Sequence, residues 1–153
     1  MLTLDFAVDE SAFAVDAPYN PATANPAAIE ETYFLAEFRF SAEGRELLGT
    51  PEMGKATSPL PLIGFASDLH RAILATRLGE ARRCYLAGGG KLELTRSGAT
   101  ICISSSLTGN SVAVDAGHLA AASETLMEKV RQAVVAHVPE MQLHPAWGNW
   151  FAI

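Results

Sequence analysis

The sequence predicts an α+β domain of two layers, an antiparallel sheet of about six strands with two helices packed on one face. Three observations carry that expectation. Residues 81–115 break into short runs of alternating apolar and polar side chains parted by glycine-bearing turns. Two other segments repeat apolar residues at helical spacing. The composition, 49% hydrophobic and 18% charged, supplies a core and excludes disorder. A chain of 153 residues buries about 68–70% of its unfolded surface, so it needs neither metal nor disulfide to fold. A single domain over residues 1–153 is expected, with no cofactor.

In chain order, residues 2–8 read as a short strand. Residues 16–28 hold Pro18, Pro21 and Pro26 and read as a proline-rich loop, since each proline removes a donor and extends the residue before it. From Glu31 to Phe40 the side chains of Phe34, Ala36, Phe38 and Phe40 share one parity and Tyr33, Leu35, Glu37 and Arg39 the other, the pattern of a half-buried strand. Glycines and prolines between Ser41 and Pro61 leave room for a strand near Arg45–Gly49 and for no helix.

Ser67 is placed to cap a first helix whose Leu69, Ala72, Ile73 and Thr76 recur at helical spacing, and Gly79 stops it. Runs at 81–87, 92–96, 99–107 and 111–115 then form a meander, with turns at Gly88–Gly90, Ser97–Gly98 and Thr108–Asn110. Asp115 caps a second helix reaching His137, with an apolar stripe of Leu119, Ala122, Leu126, Val130, Ala133 and Val134, and Pro139 ends it. Cys84 shares strand parity with Leu86, whereas Cys102 opposes Ile101 and Ile103. In one sheet the two thiols would point to opposite faces, which disfavours a disulfide and fits a reducing, cytoplasmic setting. The stretch Met1–Glu10 has no basic start and no unbroken apolar run, so it does not read as a secretory signal, and no segment has the length of a membrane span.

Catalytic motifs fail on physical grounds. Gly49–Ala56 approaches a phosphate-binding loop but carries Ala56 where a magnesium-binding hydroxyl is needed, and Pro59 and Pro61 bar a helix from starting at Lys55. His70, His118, His137 and His144 have no metal-ligand spacing. His70 and His118 read as surface imidazoles in first helical turns, and His137 suits a helix C-terminus. Ser104, Ser105 and Ser106 lack a nucleophile elbow, and Asp9–Glu10 and Glu30–Glu31, read as strand neighbours, point apart. No catalytic residue and no metal is expected.

Charge is more informative. Through residue 52 the chain carries ten acidic residues against Arg39 and Arg45, a net of −8, while the remainder nets +2, giving −6 overall. Like charges so concentrated repel one another. They fit either a well-solvated surface or a site for a basic protein partner, and they argue against nucleic acid. Asp9, Glu10, Glu30, Glu31 and Glu37 are the candidate contact residues. The aromatic tail, 139–153, adds Trp147 and Trp150, which serve either as interface anchors or as a flap over the domain's own core.

Phe65, the helix start at Ser67, Asp68 and Leu69, Gly79 with Glu80 and Ala81, the run Gly90 to Leu94, and Gly98 ahead of Ile101 and Ile103 form an ordered pattern. With Val112, Val114 and the last amphipathic helix, it resembles small bacterial immunity proteins of polymorphic toxin systems, the WapI-like group, over about residues 30–137. The proline-rich insertion and the aromatic tail depart from that pattern and leave the toxin open. The resemblance implies a cytoplasmic antitoxin that occludes a cognate toxin without turnover; a monomer or weak homodimer is expected. Two other classes compete: an acidic secretion chaperone, which would dimerise and hold an effector non-globular, and a small hydrolase or ligand-binding enzyme, which would need a concave pocket with converging polar groups.

Overall fold

The computed structural model describes residues 1–14, 20–49, 59–86 and 89–151. Among the described residues there are two four-stranded antiparallel sheets instead of one six-stranded sheet, and four α-helices instead of two. In the first sheet β1 (Leu2–Ala7) pairs with β2 (Leu35–Ala42). On the other side of β2 lie β3 (Arg45–Glu46) and β4 (Leu60–Pro61). The second sheet is a meander of β5 (Arg82–Tyr85), β6 (Lys91–Ser97), β7 (Thr100–Ser105) and β8 (Ser111–Asp115) in that order.

The sheets meet edge to edge through side chains instead of a ladder. Arg45 donates to Ser111 O at 2.9 Å, Asn110 Nδ2 to Glu46 O at 2.9 Å, and the buried Ser105 hydroxyl to Leu47 O at 2.6 Å. Leu47 and Leu48 are fully buried at this seam. Helices α2 (Leu62–Arg77) and α3 (Ala116–His137) pack on each other and cover the inner faces of both sheets. Those faces present Ala36, Phe38 and Phe40 from β2, then Leu92, Leu94, Ile101, Ile103, Val112 and Val114 from the meander. The alternation read from the sequence is therefore the inside–outside pattern of the strands. Cys84 is buried and Cys102 half-buried on the opposite face, and both are free thiols.

Three local expectations are corrected. The proline-rich segment contains a helix, α1 (Pro26–Glu31), because Asn25 accepts from Ala27 N–H at 2.9 Å and Pro26 occupies the first turn, where its missing N–H is not needed. Glu30 and Glu31 thus belong to a helix, and β2 begins only at Leu35. Helix α2 starts five residues before Ser67, with Pro61 at its N-cap, and Ser67 is an interior residue whose hydroxyl donates to Gly64 O. The apolar character of Leu62, Ile63 and Phe65 already extends the buried stripe upstream, and Pro61 costs nothing at a helix start. Asp115 and Gly79 behave as expected: Asp115 accepts from His118 N–H at 2.9 Å, and Gly79 takes φ +102° just past α2. All of the phosphate-loop-like segment Gly49–Ala56 except Gly49 lies outside the described residues.

Close helix packing rests on Gly64. A Cβ there would stand 1.9 Å from Glu30 O, so α1 and α2 touch backbone to backbone. Gly64→Ala must push α1 away, and urea unfolding should register a loss of about 2–3 kcal/mol, the usual cost of overpacking.

Candidate functional site

The acidic residues of the first half fall into two kinds. Some are neutralised within the fold: Asp5 meets Lys129 of α3 at 3.4 Å and Glu46 meets Arg39 at 2.7 Å. Others line grooves. The first groove, about 630 Å³, opens where β1 ends, between Asp9 and Ser11 on one wall and Leu35 and Glu37 on the other. The register places Ala7 opposite Glu37, which brings the Asp9 turn beside β2. Asp9 is held there because its carboxylate accepts from Ser11 N–H at 3.2 Å and caps the 3-10 turn Glu10–Phe13.

The second groove, about 270 Å³, holds Glu30, Glu31 and Asp68 around Phe65, Tyr85 and Leu86. Strand β4 separates the grooves: Pro59 lines the first, Leu60 and Pro61 the second. The groove walls desolvate the Asp68 carboxyl and raise its proton affinity; Arg71 opposes that effect and Glu30 adds to it. Among the described residues, none of the five groove carboxylates of Asp9, Glu30, Glu31, Glu37 and Asp68 enters an ion pair.

The structure therefore brings Asp9 together with Glu37, and Glu30 with Glu31. It leaves Glu10 exposed at the start of the turn and outside the lining of either groove. Of the two uses open to the aromatic tail, the flap over the core describes Trp150. It is 2% exposed in helix α4 (Trp147–Trp150), and its indole N–H donates to Glu30 Oε1 at 2.7 Å. Trp147 is half-buried against Phe151, their rings 4.4 Å apart. Sequence reasoning missed Asp68 and Tyr85 as groove residues. The alternation that turns Cys84 inward also turns Tyr85 outward, but nothing in the sequence places α1 across a groove from β5.

Two histidines are internal, which corrects the surface reading of His70. His70 lies in the middle of α2, and its Nδ1 is 2.8 Å from the Ser123 hydroxyl of α3. Ser123 donates to Ala120 O, so its oxygen accepts from His70 Nδ1–H, and Nε2 is a buried acceptor with no partner. This serine–histidine contact resembles a catalytic pair in composition only: Ser123 is fully buried and its proton is spent on a helix carbonyl. His144 bonds Ala24 O through Nε2 at 2.7 Å and ties the tail to the segment before α1. The serines at the end of β7 are structural as well. Ser104 accepts from Ser111, and Ser106 accepts from Lys91 N–H. Among the described residues no group of three or more His, Cys, Asp or Glu side chains is placed to hold a metal ion. None of the described helices is long and apolar enough to cross a membrane.

No family model matches this chain, and no curated protein and no solved structure matches it significantly.

Burial drives the His70 pKa below its ordinary 6.5, with Glu124 opposing the shift and Arg71 reinforcing it. The unfolded chain takes up this proton near 6.5 while the folded chain resists. His70 thus contributes no pH dependence above that value, and stability falls as pH drops below it toward the lowered folded value. Urea unfolding between pH 7.5 and 5 should show that slope, and His70→Gln should remove it. Burial, with Asp68 adding to it, pushes the Cys84 thiol up to about 12. At pH 8 iodoacetamide should modify Cys102 readily and Cys84 only after unfolding, as mass spectrometry of digested fragments would report.

Proposed function

We propose that this chain is an immunity protein that binds a cognate cationic toxin domain and occludes its active site. The observation that carries this reading is the pair of acidic grooves on either side of β4, whose five carboxylates have no ion-pair partner among the described residues. Unpaired carboxylates around partly apolar walls keep a negative potential that a basic partner neutralises on docking, which raises the association rate and selects the partner. The apolar surface that gains from being covered is Leu35 in the first groove and Tyr85 in the second, both exposed, while Leu60, Phe65 and Leu86 are buried and form the floor of the second. Within the class of acidic binding modules, the resemblance over residues 30–137 to immunity proteins favours an antitoxin. The mode of action is stoichiometric binding, with no turnover and no cofactor.

The test takes as partner a toxin domain encoded beside this chain's gene, and a neighbourhood without one counts against the reading. Asp9→Lys, Glu31→Lys and Glu37→Lys combined should slow association on the order of tenfold or more at low salt. The gap from wild type should narrow as salt rises, and cells expressing the toxin should lose protection. Unchanged protection and unchanged association overturn the reading, as does a complex in which the bound protein is held unfolded.

A further inference from the structure

The second groove continues past its acidic end. From Gly64, Phe65 and Asp68 of α2 it runs on to Asp68, Arg71, Ala72 and Ala75, about 380 Å³ more, with Arg82 and Arg83 of β5 on the opposite wall. Asp68 lines both stretches, so one channel follows the free edge of β5 from Leu86 back to Arg82, with α2 as its far side. Strand β5 ends the sheet order, whereas the other end, at β8, is closed by Arg45 and by the Asn110 bond to Glu46 O.

Hydrogen-bond phase shows what that edge offers. Leu86 N–H donates to Gly90 O at 2.7 Å, which makes Leu86 and Gly90 a bonded pair. Alternation along the antiparallel register makes Cys84–Leu92 and Arg82–Leu94 bonded pairs too, leaving Arg83 and Tyr85 with N–H and C=O turned away from β6. The neighbouring ladder agrees: Ser106 N–H donates to Lys91 O, so Lys91 addresses β7 and Leu92 addresses β5. The outward backbone groups of Arg83 and Tyr85 receive no hydrogen bond of the turn, loop or side-chain kind from the described residues. Tyr85 itself is 73% exposed.

We infer that this edge takes up an extended segment of a partner protein as an added strand. The segment is cationic where it passes Glu30, Glu31 and Asp68, and anionic where it passes Arg71, Arg82 and Arg83. Main-chain bonds to Arg83 and Tyr85 hold it, and the opposite charges at the two ends of the channel select it. Each arginine has a partner at the surface of the fold, Arg82 with Glu80, Arg83 with Glu93 at 3.5 Å and Arg71 with Asn149 O at 2.9 Å, and an anionic segment would compete with these exposed contacts. Four strand residues span about 13 Å, so the segment needs about four to six residues. The inference rests on the reading of this chain as a protein-binding module, but not on the groove of Asp9 and Glu37.

The probe is a panel of capped octapeptides of alternating Val or Thr with Lys in one half and Glu in the other, against all-Lys and all-Glu controls. With the full chain, the bipolar peptides should slow amide exchange at Arg83 and Tyr85 at least tenfold, as followed by NMR, and N-methylation of the peptide should abolish the effect. Tyr85→Pro removes an outward donor and spares the ladder to β6, so it should keep the melting temperature and weaken peptide binding at least tenfold. Arg83→Pro serves in its place if that variant does not fold. Exchange at Arg83 and Tyr85 that is already slow in the free chain overturns the inference, as does undiminished binding by the folded proline variant, or no effect from any peptide. In those cases the charged residues serve only to blunt an edge. If Tyr85→Pro still protects cells while reversal of Asp9 and Glu37 alone does not, the added strand is disproved and the antitoxin reading stands.

Discussion

The constraint on which the rest of the structure depends is that two separate sheets share one layer of helices. A four-stranded sheet with one apolar face cannot stand alone in water. Here neither sheet does: α2 and α3 lie against each other and against the inner faces of both. That arrangement explains why the first turns of α2 are buried almost completely from Leu62 to Ser67. It also explains why Leu47 and Leu48 fill the seam where the sheet edges meet. The helix layer needs close approach at its own borders, which Gly64 supplies against α1 and the His70–Ser123 bond supplies against α3.

Both grooves are by-products of that layering. Strand β4 is only two residues long and pairs with the start of β2. The rest of that edge is left to the turn at Asp9 on one side and to α1 on the other. Asp5 and Glu46 are matched with Lys129 and Arg39, while the acidic side chains that line the grooves have no ion-pair partner among the described residues. Five acidic side chains without an ion-pair partner among the described residues thus flank β4.

Much of the second half was legible in the sequence because its structure is local. Hairpins joined by Ser97–Gly98 and Thr108–Asn110 place each strand beside the previous one, and Asp115 and Gly79 mark helix ends through capping and left-handed geometry. The first half was less legible for physical reasons. Pro26 reads as a loop signal but is equally at home in a first helical turn. Phe34 adopts φ 56°, which no rule for a buried aromatic anticipates, and its C=O receives Leu62 N–H at 2.8 Å. The division into two sheets follows from side-chain bonds between residues about sixty positions apart, which periodicity cannot register. Of the site, the sequence yielded the acidic residues, while their sorting into neutralised and free groups depended on tertiary contacts.

The bond from Trp150 to Glu30 and that from His144 to Ala24 each close a loop of 120 positions. On the ribosome, the strands and both long helices are made before either clamp can form. Glu30 gains its fixed orientation only when the aromatic residues have cleared the exit tunnel. A nascent chain would thus carry an unfinished acidic groove until Trp150 had emerged and docked against Glu30.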